Sequence, residues 1–502
     1  MKRRDFHKGV IGLSLAASAA LAGRSRLAEA AQGVEPGQVE PVAGTECILE
    51  PARKLPVRKF DVVVAGGGTA GVVAALAAAR QGVKTALVEA KGYPGGTVTE
   101  GGTALHSFYN LWKAFPGVAK RQVVKGIPQE IIDRLAAIGA TTGHAEMTKG
   151  YDYDSICTAI DTEMYKLVTF EMLVEAGVFV CVNTVVAGAV TEMSAVKAAI
   201  VESRGGREAF AAGAFIDSTA AGDLAAYAGA KYTDPNDYAV ANSIGLANVN
   251  VDKYYEFLES GKGVTELARG LRSGRDGQIV RINGSYARAP EEFRKGASRI
   301  GMAPVITTVH DNYFMFVKLN FKMPLSAANR DAVAQAELEL RKRQAKAVEL
   351  FRKYVPGCEK AFIARTSPRL NIRRCRTIIC DYDITHEDVV EARHFDDDVM
   401  AYGFHDNAPR IQIRGGGTYG IPYRALRVAG LDNLLACGMM ITSDHRPHMS
   451  TRNTVCCMGQ GQAAGTAAAL CAKKACTTRE LPYSELRKAL EAGGVYFEPA
   501  TS

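Results

Sequence analysis

A chain of 502 residues with 47% apolar and 23% charged side chains can bury a large core in two or three domains, which excludes a disordered chain. Its formal charge of +8 is concentrated at the start, where the first thirty residues hold six Lys and Arg against two acids, leaving about +4 for the rest. Basic residues beyond that point are interleaved with acids, and no Lys/Arg block with intervening aromatics offers a surface for nucleic acid.

The N-terminal "KRRDFHK" sets Arg3 and Arg4 side by side, with Phe6 and Lys8 behind them. The apolar run that follows, Gly9 to Gly23, is too short and too rich in Ala and Gly for a membrane span, but suits a signal peptide. Together these features resemble a twin-arginine export signal. A basic tail is the alternative, and it leaves the apolar run unexplained. Ala28 and Ala30 supply a small-x-small cleavage pattern, so 1–30 is read as the signal and 31–56 as a linker. The mature chain is then expected to be periplasmic or otherwise extracytoplasmic, delivered by the twin-arginine machinery, without a stable membrane span.

From Phe60 the pattern changes to "FDVVVAGGGTAGVVAALAAARQGVKTALVEAKG". Phe60 to Ala65 reads as a β-branched strand, Thr69 to Arg80 as a helix of good formers, Gly82 as its stop and Val83 to Val88 as a second strand. Gly66, Gly68 and Gly71 satisfy G-x-G-x-x-G in this βαβ context. Gly66 allows the tight turn, Gly68 the approach of a pyrophosphate, and Gly71 close packing of helix on strand. Glu89 ends the second strand, placed to accept hydrogen bonds from a ribose. A dinucleotide is therefore expected at the helix N-terminus, where free N–H groups and the dipole favour an anion.

Strand and helix return at "GVFVCVNTVVAGAV", Gly177 to Val190, which contains Val186, and at "GAFIDSTAAGDLAAYAGA", Gly213 to Ala230. They return again at "LDNLLACGMMITSD", Leu431 to Asp444, followed by a small-residue helix from Gly459 to Lys474. Between them lies material of another character, including a helix from Ala332 to Lys353. The expected fold class is α/β: a Rossmann-like nucleotide domain assembled from 57–110, 165–235 and 417–475. An α+β substrate domain, 111–164 and 236–416, is inserted, and 476–502 forms a tail.

The choice between NAD and FAD turns on "KGYPGGTVTEGG", where Gly95, Gly96 and Thr97 follow the acid directly instead of further βα units. With "DSTAAGDLA" and "NLLACGMMITSDHRPHMSTRNTVCCMGQGQAAG", this pattern resembles the bacterial FAD-dependent oxidoreductases with a glutathione-reductase type of FAD domain. The resemblance spans about Phe60 to Leu470. It departs from the family at Met439, where Arg is usual, and at Arg374 and Cys375. It implies FAD, with Gly222 and Asp223 near the pyrophosphate, Gly438 near the ribityl chain, and Gly461, Gln462, Ala463 and Gly465 at the flavin pyrimidine edge. Val186 joins the candidate cofactor contacts. A helix starting near Gly459 would aim its N-terminal dipole at the flavin, although a tightly packed core helix explains the same small residues.

Flavin chemistry needs a proton donor or acceptor near the substrate. His106, His445 and His448 follow the segments expected beside the flavin, and His405 lies in the inserted domain; any one could equally be a surface or structural group. Arg452 precedes the flavin-edge helix. Arg369, Arg373 and Arg376 could hold a carboxylate or balance an anionic flavin, while Arg374 is expected to pair with the acids of "CDYDITHEDVVEARHFDDD". The "HFDDD" run reads as a solvated face, and no metal site is expected. The eleven cysteines show no C-x-x-C spacing, and most, including Cys181, Cys437 and Cys471, read as buried thiols. Cys456 and Cys457 are adjacent, which seldom means redox chemistry.

No second G-x-G-x-x-G follows a strand, so electrons are expected to pass to oxygen, a quinone or a carrier protein rather than to a nicotinamide. The chain reads as a dehydrogenase or oxidase of a small polar substrate, hydroxylated or amine. The alternatives are a reductase of an activated double bond fed by an external carrier, and a flavin-binding protein without turnover.

Overall fold

The computed structural model describes residues 46, 48, 50–100, 121–150, 156–405, 407, 411–415 and 417–499. Residues 1–30, read above as an export signal, and His106 lie outside the described residues. Every element below belongs to the unit Leu55–Ser502.

Its central sheet is parallel and has five strands, in the order Leu434–Ala436, Ala214–Asp217, Val62–Ala65, Thr85–Val88 and Phe179–Cys181. Val62–Ala65, Thr85–Val88, Ala214–Asp217 and Leu434–Ala436 are buried along their whole length. Unbroken apolar runs such as "VVVA" are what a parallel sheet covered on both faces requires. Helix Thr69–Arg80 starts as expected at the glycine turn, but the first two strands are shorter than read, because Phe60, Asp61, Val83 and Lys84 lie outside the ladder.

The long helix Thr454–Lys474 is buried on all sides from Val455 to Ala469. It begins at Thr454, not near Gly459. Thr, Val and Cys are modest helix formers, so propensity alone does not carry the helix this far back; tertiary burial does. Gly461 and Gly465 are contacts between helices: a Cβ at either would come within 2.2 Å of the Ala70 carbonyl or 2.1 Å of the Ala74 carbonyl. The two helices therefore pack backbone to backbone.

A four-stranded sheet, Val57–Lys59, Gly206–Ala211, Ala195–Ser203 and Val185–Glu192, holds Val186. Residues 236–416 add a three-stranded antiparallel sheet centred on Val240–Ala247 and most of a five-stranded sheet built on Val264–Arg272 and Arg275–Gly284. Helix Arg330–Tyr354 packs on the first, capped by Asn329, whose side chain accepts from the Ala332 N–H. The segment after 476 is more than a tail. It carries helix Tyr483–Ala492, whose Leu486 and Leu490, four residues apart, insert into the main core.

Among the described residues, no helix is long and apolar enough to cross a membrane.

Candidate active site

One cavity of about 620 Å³ brings together the glycine turn, the ends of the central strands, the start of the long helix and the sheets of 236–416. Gly66 turns at φ +93°, and a Cβ there would lie 2.6 Å from the Ser218 carbonyl oxygen. Gly71 is more confined still, with a Cβ position 1.8 Å from the Gly66 carbonyl. Gly68 is different: a Cβ would meet nothing within 4 Å, and the residue lines the cavity. Gly66 thus serves the turn, Gly68 the open approach and Gly71 the close packing of the helix.

Glu89 is 5% exposed and reaches the cavity from the second strand. One carboxylate oxygen accepts from the Gly67 N–H at 2.8 Å, and the other from the Lys91 backbone N–H at 2.8 Å and from Lys91 Nζ at 3.3 Å. Gly95 donates its N–H to the Gly67 carbonyl at 2.8 Å, and a Cβ at Gly96 would lie 2.7 Å from the Gly68 Cα. The second glycine pair is thereby pressed onto the first turn, with Gly96 and Thr97 at the cavity.

In "DSTAAGD" the cavity is lined by Ser218, Thr219 and Ala220, whereas Gly222 and Asp223 stand back from it. Gly222 packs against Ile378, and Asp223 is tied to Arg376 at 2.9 Å. The buried Asp217 organises the turn. It accepts from the Thr219 N–H, the Thr219 hydroxyl and the Ala225 N–H at 2.8–2.9 Å. Burial pushes its carboxyl up to about 6.

Gly438, at φ +105°, and Met439 form the opposite lip and are clamped from behind. Gln460 Oε1 accepts the Gly438 N–H at 2.8 Å, while its Nε2 donates to the Thr451 carbonyl at 2.8 Å. His448 Nε2 lies 2.7 Å from the Met439 carbonyl, an arrangement that makes this nitrogen the donor. His448 is fully buried, and burial, with Arg452 and Arg374 nearby, holds it well below the ordinary histidine range. Its burial and its bond to the Met439 carbonyl give it a structural role, the alternative that the sequence left beside acid or base. Gln460 was missed by sequence reading, although the "GQGQ" repeat marked the place.

The helix N-terminus at the cavity is formed by Asn453 and Thr454, with Cys457 one turn in. Gly461, Gln462 and Ala463 lie deeper along the helix and do not line the cavity. Gln462 instead joins separate segments, accepting from the Ile127 N–H at 3.0 Å and donating to the Gly493 carbonyl at 2.8 Å. Val186 does not line the cavity either. Cys456 and Cys457 are free, and burial pushes the Cys457 thiol up to about 12, so it stays protonated.

Arg452 reaches the cavity with its guanidinium 5.0 Å from the Tyr238 ring centroid and its Nε 3.4 Å from the Tyr238 hydroxyl. Tyr238, another residue the sequence did not flag, stacks on His445 at 4.5 Å. His445 is bonded at 3.0 Å to Asp237, outside the cavity lining. His405 is buried, bonded to the Arg446 carbonyl and the Asn407 N–H at 3.0 Å. Arg369 and Arg373 line the cavity. Arg374 pairs with Asp237 at 3.0 Å, not with the acids of 381–398. Those acids have other partners. In "HFDDD" His394 and Asp396 are exposed, as a solvated face would have them, while Asp398 is buried against His394 at 2.9 Å and Asp397 pairs with Arg424. Cys181 is half-buried rather than buried. Among the described residues, no group of His, Cys, Asp or Glu is arranged for a metal ion.

The glycine turn, its open face at Gly68, the helix N-terminus and the buried Glu89 fit a dinucleotide. The family model for FAD dependent oxidoreductases matches residues 61–490. The chain belongs to this family.

It is an FAD-dependent oxidoreductase, and FAD is its cofactor. Over 95 residues it is 40% identical to 3-oxosteroid 1-dehydrogenase from Mycolicibacterium smegmatis, a match covering 19% of this chain and 16% of that enzyme. It is 42% identical over 76 residues to the Mycobacterium tuberculosis enzyme of the same name, covering 15% of this chain and 12% of the relative. Among solved structures, it is similar to a geranylgeranyl bacteriochlorophyll reductase-like protein from Thermoplasma acidophilum, with TM-score 0.44 and 14% identity over 87% of this chain and 83% of that one. It is also similar to p-nitrophenol 4-monooxygenase from Pseudomonas putida, with TM-score 0.40 and 12% identity over 88% of this chain and 89% of that one.

Proposed function

We propose that this oxidoreductase is a dehydrogenase or oxidase of a small polar molecule, hydroxylated or amine, exported in folded form by the twin-arginine route to work outside the cytoplasm. The observation that carries the reaction is a single cavity with a nucleotide wall on one side and Tyr238, Arg452 and polar side chains of 236–416 on the other. The FAD domain is assembled from 57–110, 165–235 and 417–475, with 111–164 and 236–416 as the substrate domain. Gly66, Gly68, Glu89, Gly96, Thr97 and Ser218 to Ala220 hold the dinucleotide. Gly438 and the start of helix Thr454–Lys474 face the reacting end.

Bound FAD supplies the two-electron acceptor. The chain's own task is to hold the substrate against it and manage a proton. Tyr238 presents a hydroxyl at the cavity wall, oriented by Arg452 and backed by the stacked His445. We assign the proton to this oxygen, with Arg452 placed to orient a polar substituent. His445 joins the Tyr238 ring to Asp237 and acts through it.

In the experiment, purified mature protein is reduced anaerobically with hydroxy acids, amines, sugars and unsaturated acids, then reoxidised with oxygen or a quinone. A yellow protein bleached by a saturated polar compound is expected. A colourless protein that takes up no FAD overturns the reading. Arg369 and Arg373 at the wall favour one second reading, a reductase of an unsaturated acid fed by an external carrier. That reading requires reoxidation of reduced enzyme by the unsaturated acid. Export is tested by fractionation: yellow protein retained in the cytoplasm, with residues 1–30 uncleaved, removes it.

A further inference from the structure

Helix Thr454–Lys474 ends at Ala475, a residue other than glycine held at φ +52°. Left-handed backbone is costly for a residue with a side chain and is usually left to Gly at this position. The contacts that hold Ala475 there come from its two flanks. The Cys476 N–H donates to the Cys471 carbonyl at 3.2 Å, the six-to-one bond of a Schellman ending. Such an ending sets the side chains at the two ends of that bond against each other, and here both are thiols.

Cys471 belongs to the main core and is 3% exposed, whereas Cys476 is half-buried and packs on that core from outside. Cys471 Sγ lies 3.6 Å from the Thr477 carbonyl, so its sulfur faces the segment that carries Cys476. Burial, with the Cys476 thiol beside it, pushes the Cys471 thiol up to about 12. The two sulfurs are thus unequal. Cys476 is reached from solvent, and Cys471 is reached through Cys476. Four residues separate the pair, so no C-x-x-C spacing announced it.

We propose that Cys471 and Cys476 form a thiol–disulfide exchange site, closed into an internal bond by an incoming small-molecule or protein disulfide. Cys476 gives up its proton and its sulfur attacks that disulfide, which leaves a mixed disulfide on Cys476 and releases one carrier thiol. Cys471 then attacks the Cys476 sulfur, its proton passes to the departing thiolate, and the second carrier thiol leaves. Two protein thiols are oxidised to one S–S bond, and one carrier disulfide is reduced to two thiols. The bond ties the end of the long helix, which packs on Thr69–Arg80, to the segment leading into Tyr483–Ala492. An oxidising compartment favours the bonded form and a reducing one the dithiol. The proposal stands apart from the substrate and export readings above.

In the test, FAD-loaded protein is treated with glutathione disulfide, alkylated and digested with trypsin. Lys473 and Lys474 lie between the two cysteines, so cleavage leaves two fragments joined only through the new bond. The joined pair, free of glutathione, is expected in the wild type, and dithiothreitol should part it. Cys471→Ala should stop at the mixed disulfide, a gain of about 300 Da on Cys476. Cys476→Ser should take up neither bond nor glutathione in this segment. Flavin absorbance checks that all three proteins are folded. Oxidised wild type should unfold at or above the temperature of the reduced form. Unjoined fragments in the wild type, or glutathione retained on Cys476, overturn the proposal. So does a lower unfolding temperature after oxidation, because the bond would then be forced on the helix end. Glutathione on Cys471 in the Cys476→Ser protein overturns the order of attack.

Discussion

The two walls of the cavity are built by different means. On the nucleotide wall the decisive groups are backbone atoms and missing side chains, Gly66, Gly68 and Gly96, backed by Gly71 against the Gly66 carbonyl, with one carboxylate, Glu89. On the facing wall they are long side chains brought from distant strands and loops: Glu266, Arg281 and Lys318 from strands, Tyr238 and Arg373 from loops. Substitutions on the first wall should act through the backbone, and those on the second through chemistry that leaves the fold standing.

The sharpest separation is expected between Gly71→Ala and Gly68→Ala. The first drives a Cβ to 1.8 Å from the Gly66 carbonyl and should cost more than about 3 kcal/mol or abolish folding. The second meets open space, so stability should change by less than about 1 kcal/mol while flavin occupancy falls. Denaturant unfolding and flavin absorbance per protein check both. Equal effects from the two would break the distinction within this wall.

Asp217→Ala comes next. It leaves the Thr219 N–H, the Thr219 hydroxyl and the Ala225 N–H without their acceptor, a loss of about 3 kcal/mol by unfolding. The pH sign is distinctive. Because the folded carboxyl is raised from 3.8 to about 6, its contribution is fully present below pH 3.8 and lost as pH rises through about 6. The stability difference between wild type and Asp217→Asn should decline across that window.

A smaller loss, about 1–2 kcal/mol, is expected for Gln460→Ala or His448→Asn, which release the Gly438–Met439 lip, together with an altered flavin spectrum. His448 has the opposite pH sign. Its folded pKa is depressed below 6.5, so its contribution is present above 6.5 and is lost as pH falls toward the depressed folded value. Wild type minus variant, measured from pH 7 downward, should show this decline, and a flat profile would remove the buried-neutral assignment.

Tyr238→Phe should have the least effect on stability, under about 0.5 kcal/mol, since the ring keeps its stacking with His445. Flavin reduction by substrate should slow at least about a hundred-fold with FAD content unchanged. Unchanged reduction would move the proton to another group.

The nucleotide wall was legible because its requirements are local. A turn at positive φ, an open Cβ position and an acid ending the next strand fall within Gly66 to Glu89, and spacing records them directly. Gly461 and Gly465 show the limit of that logic. Small residues at helical spacing suit a flavin edge and a helix contact equally, and only the Ala70 and Ala74 carbonyls, 2.1–2.2 Å from where a Cβ would stand, select the contact. His448 and His445 were indistinguishable by position, yet one is sealed behind Met439 and the other stacks outside the cavity. Asp223 kept its charge but turned it toward Arg376, 153 residues away.

From the sequence alone follow the βαβ unit, its three glycine roles and the family that uses them, since each depends on residues within one turn or one strand of each other. The start of the long helix, the clamp of Gln460 and His448 on the lip, and the meeting of Tyr238, Arg452 and Glu266 were decided by tertiary structure. Burial, partner geometry and charge at those places are set by chain segments up to about two hundred residues apart, and no local pattern encodes which segments meet.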